Sequence, residues 1–401
     1  MHLSDVRRSW ALHEAELAAR LERYVRTESG SDDKAKVDSA AEVFAAELRA
    51  LGFAPTIIEN PDGGNHVVGD RAGSGSGHVV LLLHLDTVWP GRTYPAPVFR
   101  IEDGRAMGPG VLDMKGGWVV ALAALEHLFR DGWDGPRRLT VIATGDEELG
   151  STHGRRIVEE HAAGADFALV MEPGRADGSL VGRRGAVGAL RISVTGRNSH
   201  ASSDDPGASA LIAAAHMAIA LEAASDRPGG RILNVGELHA GTARQVVPAH
   251  AELNIDLRAA TGPDAARLLE HVAKVSSRPA VPGVEARVRG GITRPAYPAD
   301  LALAPLQDAV RRAGTSIGLP VRFVTTRGGS DGNFTAAMGI PTVDGLGADG
   351  GGICTADEYV DLGALPGKIA LLCGILDQLA GTGRFDLDAS TAADASQGGA
   401  K

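Results

Sequence analysis

The chain has 401 residues, of which 44% are hydrophobic, with a formal net charge of −10 at pH 7 and only two cysteines. This length exceeds what one hydrophobic core usually holds, so we expect two domains. The acidic balance argues against nucleic-acid binding, and two cysteines cannot form a disulfide framework. The charged N-terminal segment lacks the apolar core of a secretory signal, and we identify no apolar stretch of membrane-spanning length. We therefore expect a cytoplasmic protein without membrane contact.

The first part of the chain alternates predicted helices and strands. Apolar residues at helical spacing predict a helix over residues 6–26 and another over Asp38–Leu51. Short continuous apolar runs, typical of strands buried on both faces, then alternate with helical segments. The strands are His78–Leu85, Leu139–Thr144 and Phe167–Met171, and the helices between them are Gly117–Phe129 and Thr152–His161. This order predicts an α/β layer with a mixed, mostly parallel sheet and helices on both faces.

The middle of the chain follows a different order: strand, helix, strand, strand, helix, strand. That is the split arrangement of a ferredoxin-like α+β domain. The segments are Gly185–Thr195, Pro206–Ala224, Ile232–Leu238, Ala251–Arg258, Pro263–Val275 and Val284–Arg289. Afterwards the first pattern resumes with a helix over Leu303–Ala313, a strand over Ile340–Val343 and a helix over Leu365–Leu379. We expect a first domain of residues 1–185 and 297–383, an inserted domain of residues 186–296, and a disordered tail of residues 384–401.

Acidic and histidine residues follow four apolar runs of the first domain. The segments are HLD (His84–Asp86), DMKGG (Asp113–Gly117), GDEELG (Gly145–Gly150) and MEPG (Met171–Gly174). Ligands of such sheets bind at the carboxyl ends of the strands, so we expect these side chains to share one crevice. Carboxylates and a histidine delivered there are suited to a divalent metal ion.

Each segment taken singly also fits a structural role. Asp86 is placed to fix the tautomer of His84, but a histidine and an aspartate at a strand end occur without a metal. Asp113 lies in a glycine-rich turn that also suits a helix cap. The adjacent Glu147 and Glu148 repel each other unless a cation or a proton neutralises one, although a helix N-terminus favours acids as well. The recurrence of such residues in all four segments along one sheet edge favours a metal site, with one of the two glutamates as ligand and the other as general base.

These motifs resemble those of the metallopeptidase family of acetylornithine deacetylase, succinyl-diaminopimelate desuccinylase and bacterial glutamate carboxypeptidase. The resemblance covers about residues 15–382 and implies a zinc-exopeptidase-like catalytic domain with an inserted lid and dimerisation domain. It also implies two divalent metals, usually zinc, bridged by Asp113, and a cis peptide bond between Asp113 and Met114. The remaining ligands that it implies are His84 and Glu172 for one metal, and Glu148 with the residue at Cys354 for the other. Glu147 is then the general base and proton shuttle.

The resemblance extends to residues that would bind the substrate. His200, in GRNSHA, would reach across a homodimer to polarise the scissile carbonyl, although without the family it is an ordinary surface histidine. Arg294, in TRPAY, would clamp the α-carboxylate of the substrate. Gln245, in RQVVP, stands where the family usually has an asparagine that helps to hold the substrate. The motif GGSDGN would approach the substrate through Gly328, Gly329, Ser330 and Asn333.

The implied activity is metal-dependent hydrolysis of an amide next to a free carboxylate, by a carboxypeptidase or an N-acyl-amino-acid deacylase. Its substrate would be a small N-acyl amino acid or a short peptide. The chain departs from the family at Cys354, in GGGICTADEYV, where a histidine is usual. Three outcomes stay open: Cys354 binds zinc, the second metal site is weak or empty, or the thiol is inert or a nucleophile. The alternative functions are a biosynthetic hydrolase or acyl- or group-transfer enzyme that uses Cys354, and a non-catalytic binding protein. We interpret Cys373 as core packing, and His153 as a possible substitute ligand.

Overall fold

The computed structural model describes residues 2–90, 94–95 and 97–381. The chain divides into two compact units. Unit 1 comprises the chain up to Arg183, Asp300–Thr325 and the chain from Ser330, and unit 2 comprises Arg184–Ala299 with Thr326–Gly329. The insertion predicted at residues 186–296 lies within unit 2, while the catalytic and dimerisation roles of the two domains stay predictions. The tail at residues 384–401 lies outside the described residues.

The described residues form ten α-helices. They are α1 (Leu3–Ala11), α2 (Glu14–Arg26), α3 (Lys34–Ala50), α4 (Gly116–Arg130), α5 (Gly154–His161), α6 (Ala210–Glu222), α7 (Gly262–Ser276), α8 (Ala304–Ser316), α9 (Gly332–Ala337) and α10 (Leu365–Ala380). A distorted turn, Val111–Lys115, precedes α4, and a short 3-10 turn, Leu362–Ala364, precedes α10.

The same residues form sixteen strands. They are β1 (Ala54–Ile58), β2 (His66–Ala72), β3 (His78–His84), β4 (Arg100–Glu102), β5 (Arg105–Met107), β6 (Arg138–Thr144), β7 (Phe167–Val170), β8 (Leu180–Arg184), β9 (Ala186–Thr195), β10 (Arg231–Ala240), β11 (His250–Ala259), β12 (Glu285–Arg294), β13 (Phe323–Thr326), β14 (Thr342–Val343), β15 (Gly350–Gly351) and β16 (Tyr359–Asp361).

The central sheet of unit 1 has six strands in the order β1-β2-β6-β3-β7-β14. The strands β6, β3, β7 and β14 run parallel, whereas at one edge β2 pairs antiparallel with β6 and β1 pairs antiparallel with β2. This confirms the prediction of a mixed, mostly parallel sheet. A smaller sheet in unit 1 has the order β15-β16-β5-β4.

Both faces of the central sheet are buried, which explains its continuous apolar strands. In β3, Val79, Leu81 and Leu83 belong to one hydrophobic core, while Val80 and Leu82 belong to a second core on the other face. Successive side chains of a strand point to opposite faces, so a strand covered on both sides is apolar throughout. The core on the second face includes residues of α5 and α9.

The prediction of a single N-terminal helix over residues 6–26 is wrong. The structure contains α1 and α2, and between them Leu12 is 81% exposed. The ring Nδ1 of His13 donates a hydrogen bond to the carbonyl oxygen of Ser9, 2.7 Å away. The interruption allows each helix to bury its own apolar side chains, including Trp10 in α1 and Leu17 in α2.

Several elements were not predicted because they are short or of mixed polarity. They are the strands β1, β2, β4, β5, β8, β13, β15 and β16 and the six-residue helix α9. The expectation that no apolar stretch reaches membrane-spanning length is also wrong by length and composition, since Leu362–Ala380 reaches it. However, 78% of the most apolar window of that segment is buried inside the protein, so core packing accounts for its composition.

Unit 2 contains one antiparallel sheet in the order β10-β11-β9-β12. The helices α6 and α7 pack against this sheet, and the chain order β9-α6-β10-β11-α7-β12 confirms the ferredoxin-like arrangement. A side-chain hydroxyl group caps the N-terminus of each helix: Ser209 Oγ accepts from the N–H of Ile212, and Thr261 Oγ1 accepts from the N–H of Asp264. Such caps satisfy helical N–H groups that have no partner within the helix.

Candidate metal centre and active site

His84 is the last residue of β3, and its ring is buried. Its Nδ1 lies 2.9 Å from the carbonyl oxygen of Asp86, and because a carbonyl oxygen can only accept, this ring nitrogen carries the proton. The other nitrogen, Nε2, lies 3.0 Å from Asp113 Oδ1 and 3.8 Å from Glu172 Oε1. His84 therefore presents Nε2 to an acidic cluster, with its ring orientation fixed from the opposite side.

The Asp86 carboxylate holds the main chain of Glu147 and Glu148. Its Oδ1 accepts from the N–H of Glu147 and its Oδ2 from the N–H of Glu148, each at 3.1 Å. Ser31 Oγ donates to the same Oδ2 at 2.9 Å. The sequence predicted that Asp86 orients the ring of His84, and the carbonyl oxygen of Asp86 makes the contact with that ring. The carboxylate, 3.6 Å from His84 Nδ1, connects the HLD segment to the GDEELG segment.

Asp113 lies in the distorted turn before α4, and its peptide bond to Met114 is cis, as the family resemblance implies. The buried side chain of Glu358 holds this turn: its Oε1 accepts from the N–H groups of Leu112 and Asp113 at 2.8 and 2.9 Å. Burial raises the pKa of Glu358 to about 7. The carboxylate of Asp113 is consequently anchored through its own main chain.

Glu172 follows β7 and is 8% exposed. Its carbonyl oxygen accepts from the N–H of Gly347 at 2.9 Å. The buried Lys368 supports the same loop, because its Nζ donates to the carbonyl oxygen of Gly345 at 3.1 Å and lies 3.1 Å from Asp349 Oδ1. The loop that precedes Cys354 is thereby tied to the segment that carries Glu172.

Two groups of possible metal ligands share Asp113. The first contains His84, Asp113 and Glu172, and the second contains Asp113, Glu148 and Cys354. Within each group the candidate ligand atoms all lie within 4.8 Å of one another. Cys354 Sγ lies 4.0 Å from Asp113 Oδ2, and the φ of Cys354 is +59°, in the left-handed region that favours glycine. The structure thus brings together all five residues that the sequence analysis named as metal ligands.

Burial and neighbouring negative charges disfavour the ionised forms of Glu148 and Cys354 in this cluster. Burial raises the pKa of Glu148 to about 9, with a further contribution from the charge of Asp113. Burial also raises the pKa of Cys354 to about 12, again with Asp113 contributing. Burial alone would lower the pKa of His84, but the hydrogen bonds with Asp113 and Asp86 and the charges of Asp113 and Glu172 together outweigh it and leave that pKa well above its usual value. A divalent cation among these groups would relieve the repulsion.

The donor set also fits a metal chemically. Within the part of the chain that the structure describes, Oε1 of Glu148 is buried without a hydrogen-bond partner. Imidazole nitrogen, carboxylate oxygen and thiolate sulfur are the donors that zinc accepts in proteins. His153, considered as a substitute ligand, is instead stacked on His66, with its Nδ1 2.9 Å from His66 Nε2.

In unit 2, Arg294 ends β12 and is 6% exposed. It packs against Gly329, where an added Cβ would lie 2.5 Å from Arg294 Cδ, so only glycine fits at this position without displacing the arginine. The carbonyl oxygens of Gly328 and Gly329 each accept from Arg184 Nη1 at 3.2 Å. Glycine at position 329 therefore allows the close approach of Arg294.

Also in unit 2, the segments that contain His200 and Gln245 lie side by side. His200 pairs with Val246 in an isolated antiparallel bridge, and the N–H of Ala201 donates to the carbonyl oxygen of Gln245 at 2.9 Å. The side chain of His200 is exposed, with Nδ1 2.8 Å from Ser202 Oγ. Two residues that lie 45 positions apart in the sequence thus share one surface.

Ser330 and Asn333, in unit 1, are fully buried. Ser330 Oγ donates to Asp344 Oδ2 at 2.6 Å, and the N–H of Ser330 donates to Asn333 Oδ1 at 2.9 Å. These hydrogen bonds shape the loop from within, so direct contact of either side chain with a substrate stays a prediction.

Sequence reasoning missed the supporting role of Glu358. Its position within ADEYV, four residues after Cys354, was the only signal, because an acidic residue near a predicted ligand is itself a candidate. The position of Lys368 relative to the site left no such signal, since it lies far along the chain from the acidic motifs.

The chain matches the sequence profile of Peptidase family M20/M25/M40 over residues 80–378. Carboxypeptidase G2 of Pseudomonas sp. (strain RS-16) is 30% identical over 368 residues, which cover 90% of this chain and 88% of that protein. Succinyl-diaminopimelate desuccinylase of Acidiphilium cryptum (strain JF-5) is 31% identical over 364 residues, which cover 85% of this chain and 93% of that protein.

A solved structure of similar fold is that of a tripeptidase from Staphylococcus aureus subsp. aureus mu50. It superposes with a TM-score of 0.76 and 21% sequence identity, covering 92% of this chain and 99% of that chain. At this identity the likeness shows a common fold.

Proposed function

Because the chain belongs to peptidase family M20/M25/M40, and is therefore a metal-dependent hydrolase of amide bonds, we propose that it cleaves an amide next to a free carboxylate. The observation that carries this proposal is the pair of ligand groups that share Asp113, with Glu147 beside the ligand Glu148. The relatives named carboxypeptidase G2 and succinyl-diaminopimelate desuccinylase support a substrate that is a short peptide or an N-acyl amino acid.

We further propose zinc as the metal, at two positions. His84, Asp113 and Glu172 would hold one ion, and Asp113, Glu148 and Cys354 the other. When bound, zinc supplies a Lewis acid that polarises a carbonyl group and lowers the pKa of water. The thiolate of Cys354 would be a ligand that zinc accepts in proteins, as is the imidazole nitrogen of His84.

The protein's own groups would then move the protons. A carboxylate oxygen of Glu147 would accept a proton from the attacking water and return it to the nitrogen of the leaving group. The hydrogen bond from its main-chain N–H to Asp86 supports this role, because it fixes the position from which the side chain extends.

Residues of unit 2 would bind the substrate. Arg294 would clamp the carboxylate with its planar guanidinium, and its packing against Gly329 supports a fixed orientation. His200, supplied by the partner in a homodimer, would donate a hydrogen bond to the carbonyl oxygen of the scissile amide. Gln245, adjacent to the His200 segment, would contact the substrate near the same group. Two free cysteines are compatible with a cytoplasmic location, which we retain as a proposal.

A substrate panel tests the proposed function. The zinc-loaded enzyme is expected to hydrolyse N-acyl amino acids or dipeptides and to leave their C-terminal methyl esters intact, since the esters lack the carboxylate. Metal analysis accompanies the assay. A zinc-loaded enzyme that hydrolyses no member of the panel would contradict the proposal, whereas a metal-free protein inactivated by thiol alkylation would favour the acyl-transfer alternative.

Glu147→Gln tests the general base. We expect kcat to fall by about 10²- to 10⁴-fold, because a neutral amide cannot accept the proton, while the zinc content stays unchanged. Glu160→Gln, an exposed glutamate on α5, is the matched control. Unaltered kcat in Glu147→Gln would exclude this residue as the base.

A further inference from the structure

The GGSDGN motif contains a buried carboxylate, Asp331, that the proposed chemistry does not use. It is 3% exposed and immediately precedes α9, yet its side chain does not cap that helix. Instead, its two oxygens accept hydrogen bonds from two hydroxyl groups. Thr144 Oγ1 donates to Oδ2 at 2.6 Å, and Ser151 Oγ donates to Oδ1 at 2.5 Å.

Those two hydroxyl groups belong to the two ends of the segment that carries Glu147 and Glu148. Thr144 is the last residue of β6, and Ser151 follows Gly150, the last residue of GDEELG. Both are buried, at 0% and 1% exposure. A single carboxylate therefore ties the beginning of the segment to its end.

The backbone conformation of the segment allows the second of these contacts, the hydrogen bond from Ser151 to Asp331. Gly150 and Ser151 have φ values of +92° and +51°, so the chain reverses in the left-handed region, which is unfavourable for a serine. The N–H of Ser151 donates to the carbonyl oxygen of Asp146 at 2.8 Å, which closes the turn. The hydrogen bond from Ser151 Oγ to Asp331 compensates for this conformation.

We propose that Asp331 is a positioning residue for Glu147. It acts through Thr144 and Ser151, which fix both ends of the segment, while Asp86 holds the main-chain N–H groups of Glu147 and Glu148 in its middle. This inference rests on the proposed function, from which it takes the role of Glu147 as the general base. A displacement of a reacting group by about 1 Å can cost about 10²-fold in rate, so the hydrogen bonds to Asp331 are expected to control kcat.

Paired substitutions at Thr144 test the proposal. Thr144→Val keeps the shape of the side chain but removes the hydroxyl donor, and we expect kcat to fall by about 10- to 100-fold with KM and zinc content unchanged. Thr144→Ser restores the donor and is expected to recover most of that loss.

The matched control is Thr140→Val, on the same strand. Thr140 is equally buried and donates to another aspartate, Asp70 Oδ1, at the same distance of 2.6 Å. Its hydroxyl group also lies 2.8 Å from His78 Nε2, so Thr140→Val removes at least as much hydrogen bonding as Thr144→Val without touching the segment that carries Glu147. Equal losses of kcat in Thr144→Val and Thr140→Val, or no recovery in Thr144→Ser, would overturn the proposal.

Hydrogen exchange provides a readout that does not depend on activity. In Asp331→Asn and Thr144→Val, the amides of residues 145–151 are expected to exchange about tenfold faster, because a hydrogen bond to a charged acceptor is lost. In Thr140→Val they are expected to stay protected.

The two readouts separate the two proposals. If the wild-type enzyme hydrolyses no substrate of the panel, the proposed function fails, and the exchange rates still decide whether Asp331 holds the segment. Unchanged exchange in Asp331→Asn would overturn the inference even if hydrolysis is observed.

Discussion

Cys354 combines an unfavourable backbone conformation with a thiol that faces Asp113. A left-handed conformation costs a non-glycine residue roughly 1–2 kcal/mol, and such strain concentrates at functional sites. A soft thiolate ligand favours zinc over magnesium, calcium or manganese. We therefore expect the metal position that includes Cys354 to be more selective for zinc than the other metal position.

Cobalt substitution tests the thiolate ligand. The Co²⁺-loaded protein is expected to show a sulfur-to-metal charge-transfer absorption that Cys354→Ser lacks, because a hydroxyl group is not a thiolate. Cys373→Ala, which removes the buried cysteine of α10, is expected to retain the absorption. Cys354→His is expected to lose the absorption while keeping two metal ions per chain. Identical spectra for the wild type and Cys354→Ser would show that Cys354 is not a ligand.

At the residue scale, the sequence predicted which side chains come together better than it predicted their contacts. Their positions after apolar runs predicted that His84, Asp113 and Glu172 share one crevice, since the ends of parallel strands meet at one sheet edge, whereas their assignment to one metal came from the family resemblance. The contacts of Asp86 could not be predicted, because sequence spacing does not distinguish a carbonyl oxygen from a carboxylate. The hydroxyl group of the buried Ser330 finds its acceptor in Asp344, which the chain brings near only after folding.

At the scale of elements, the N-cap of the helix α7 stabilises the fold without belonging to the proposed active site. Thr261 caps it through Oγ1, which accepts from the N–H of Asp264 at 3.2 Å and donates to the carboxylate of the same residue at 2.6 Å. This helix packs against α6 and the sheet of unit 2, whereas the proposed metal ligands belong to unit 1.

Thr261→Ala is therefore expected to affect stability alone. We expect the free energy of unfolding to fall by about 1 kcal/mol, the usual cost of losing an N-cap, with kcat and KM unchanged. Thr261→Asn retains a capping side chain and is expected to regain most of that loss. Urea unfolding of the three proteins measures the difference, and an altered kcat in Thr261→Ala would contradict the separation.

The elements that the sequence predicted are those whose apolar pattern is continuous or periodic. The strands β3, β6 and β7 were found within a residue or two because both of their faces are buried. The edge strand β1 was missed because its residues are intermediate or exposed, so its pattern resembles that of a loop. The break between α1 and α2 was missed because neither glycine nor proline marks it.

For the molecule as a whole, stability is expected to depend on pH through a buried histidine, His66. The N–H of Gly145 donates to its Nδ1 at 3.0 Å, so Nδ1 carries no proton in the folded state. Burial, with the nearby His153, lowers the pKa of His66 from 6.5 to about 4. Between these values the unfolded chain binds more protons than the folded one, so stability falls as the pH is lowered from 6.5 towards 4.

The contribution of His66 is at most about 3 kcal/mol, fully present above pH 6.5. His66→Gln is expected to show a smaller fall in the urea midpoint between pH 7 and pH 4.5 than the wild type, since it has no group to titrate. His216→Gln, which removes an exposed histidine of α6, is expected to behave like the wild type. An identical pH dependence of His66→Gln and the wild type would refute this assignment.

The helix α10 has a consequence for how the protein is made. All of its residues except Asp377 and Gln378 are buried, and it packs against α1 at the other end of the chain. During synthesis, the strands and helices of unit 2 leave the ribosome before α10 does, so unit 2 can fold first. The core of unit 1 must wait, because α10 packs against α1, α4 and α8. Nascent chains that stop before Leu365 would leave the apolar sides of those helices uncovered, which makes them natural targets for chaperones and proteases.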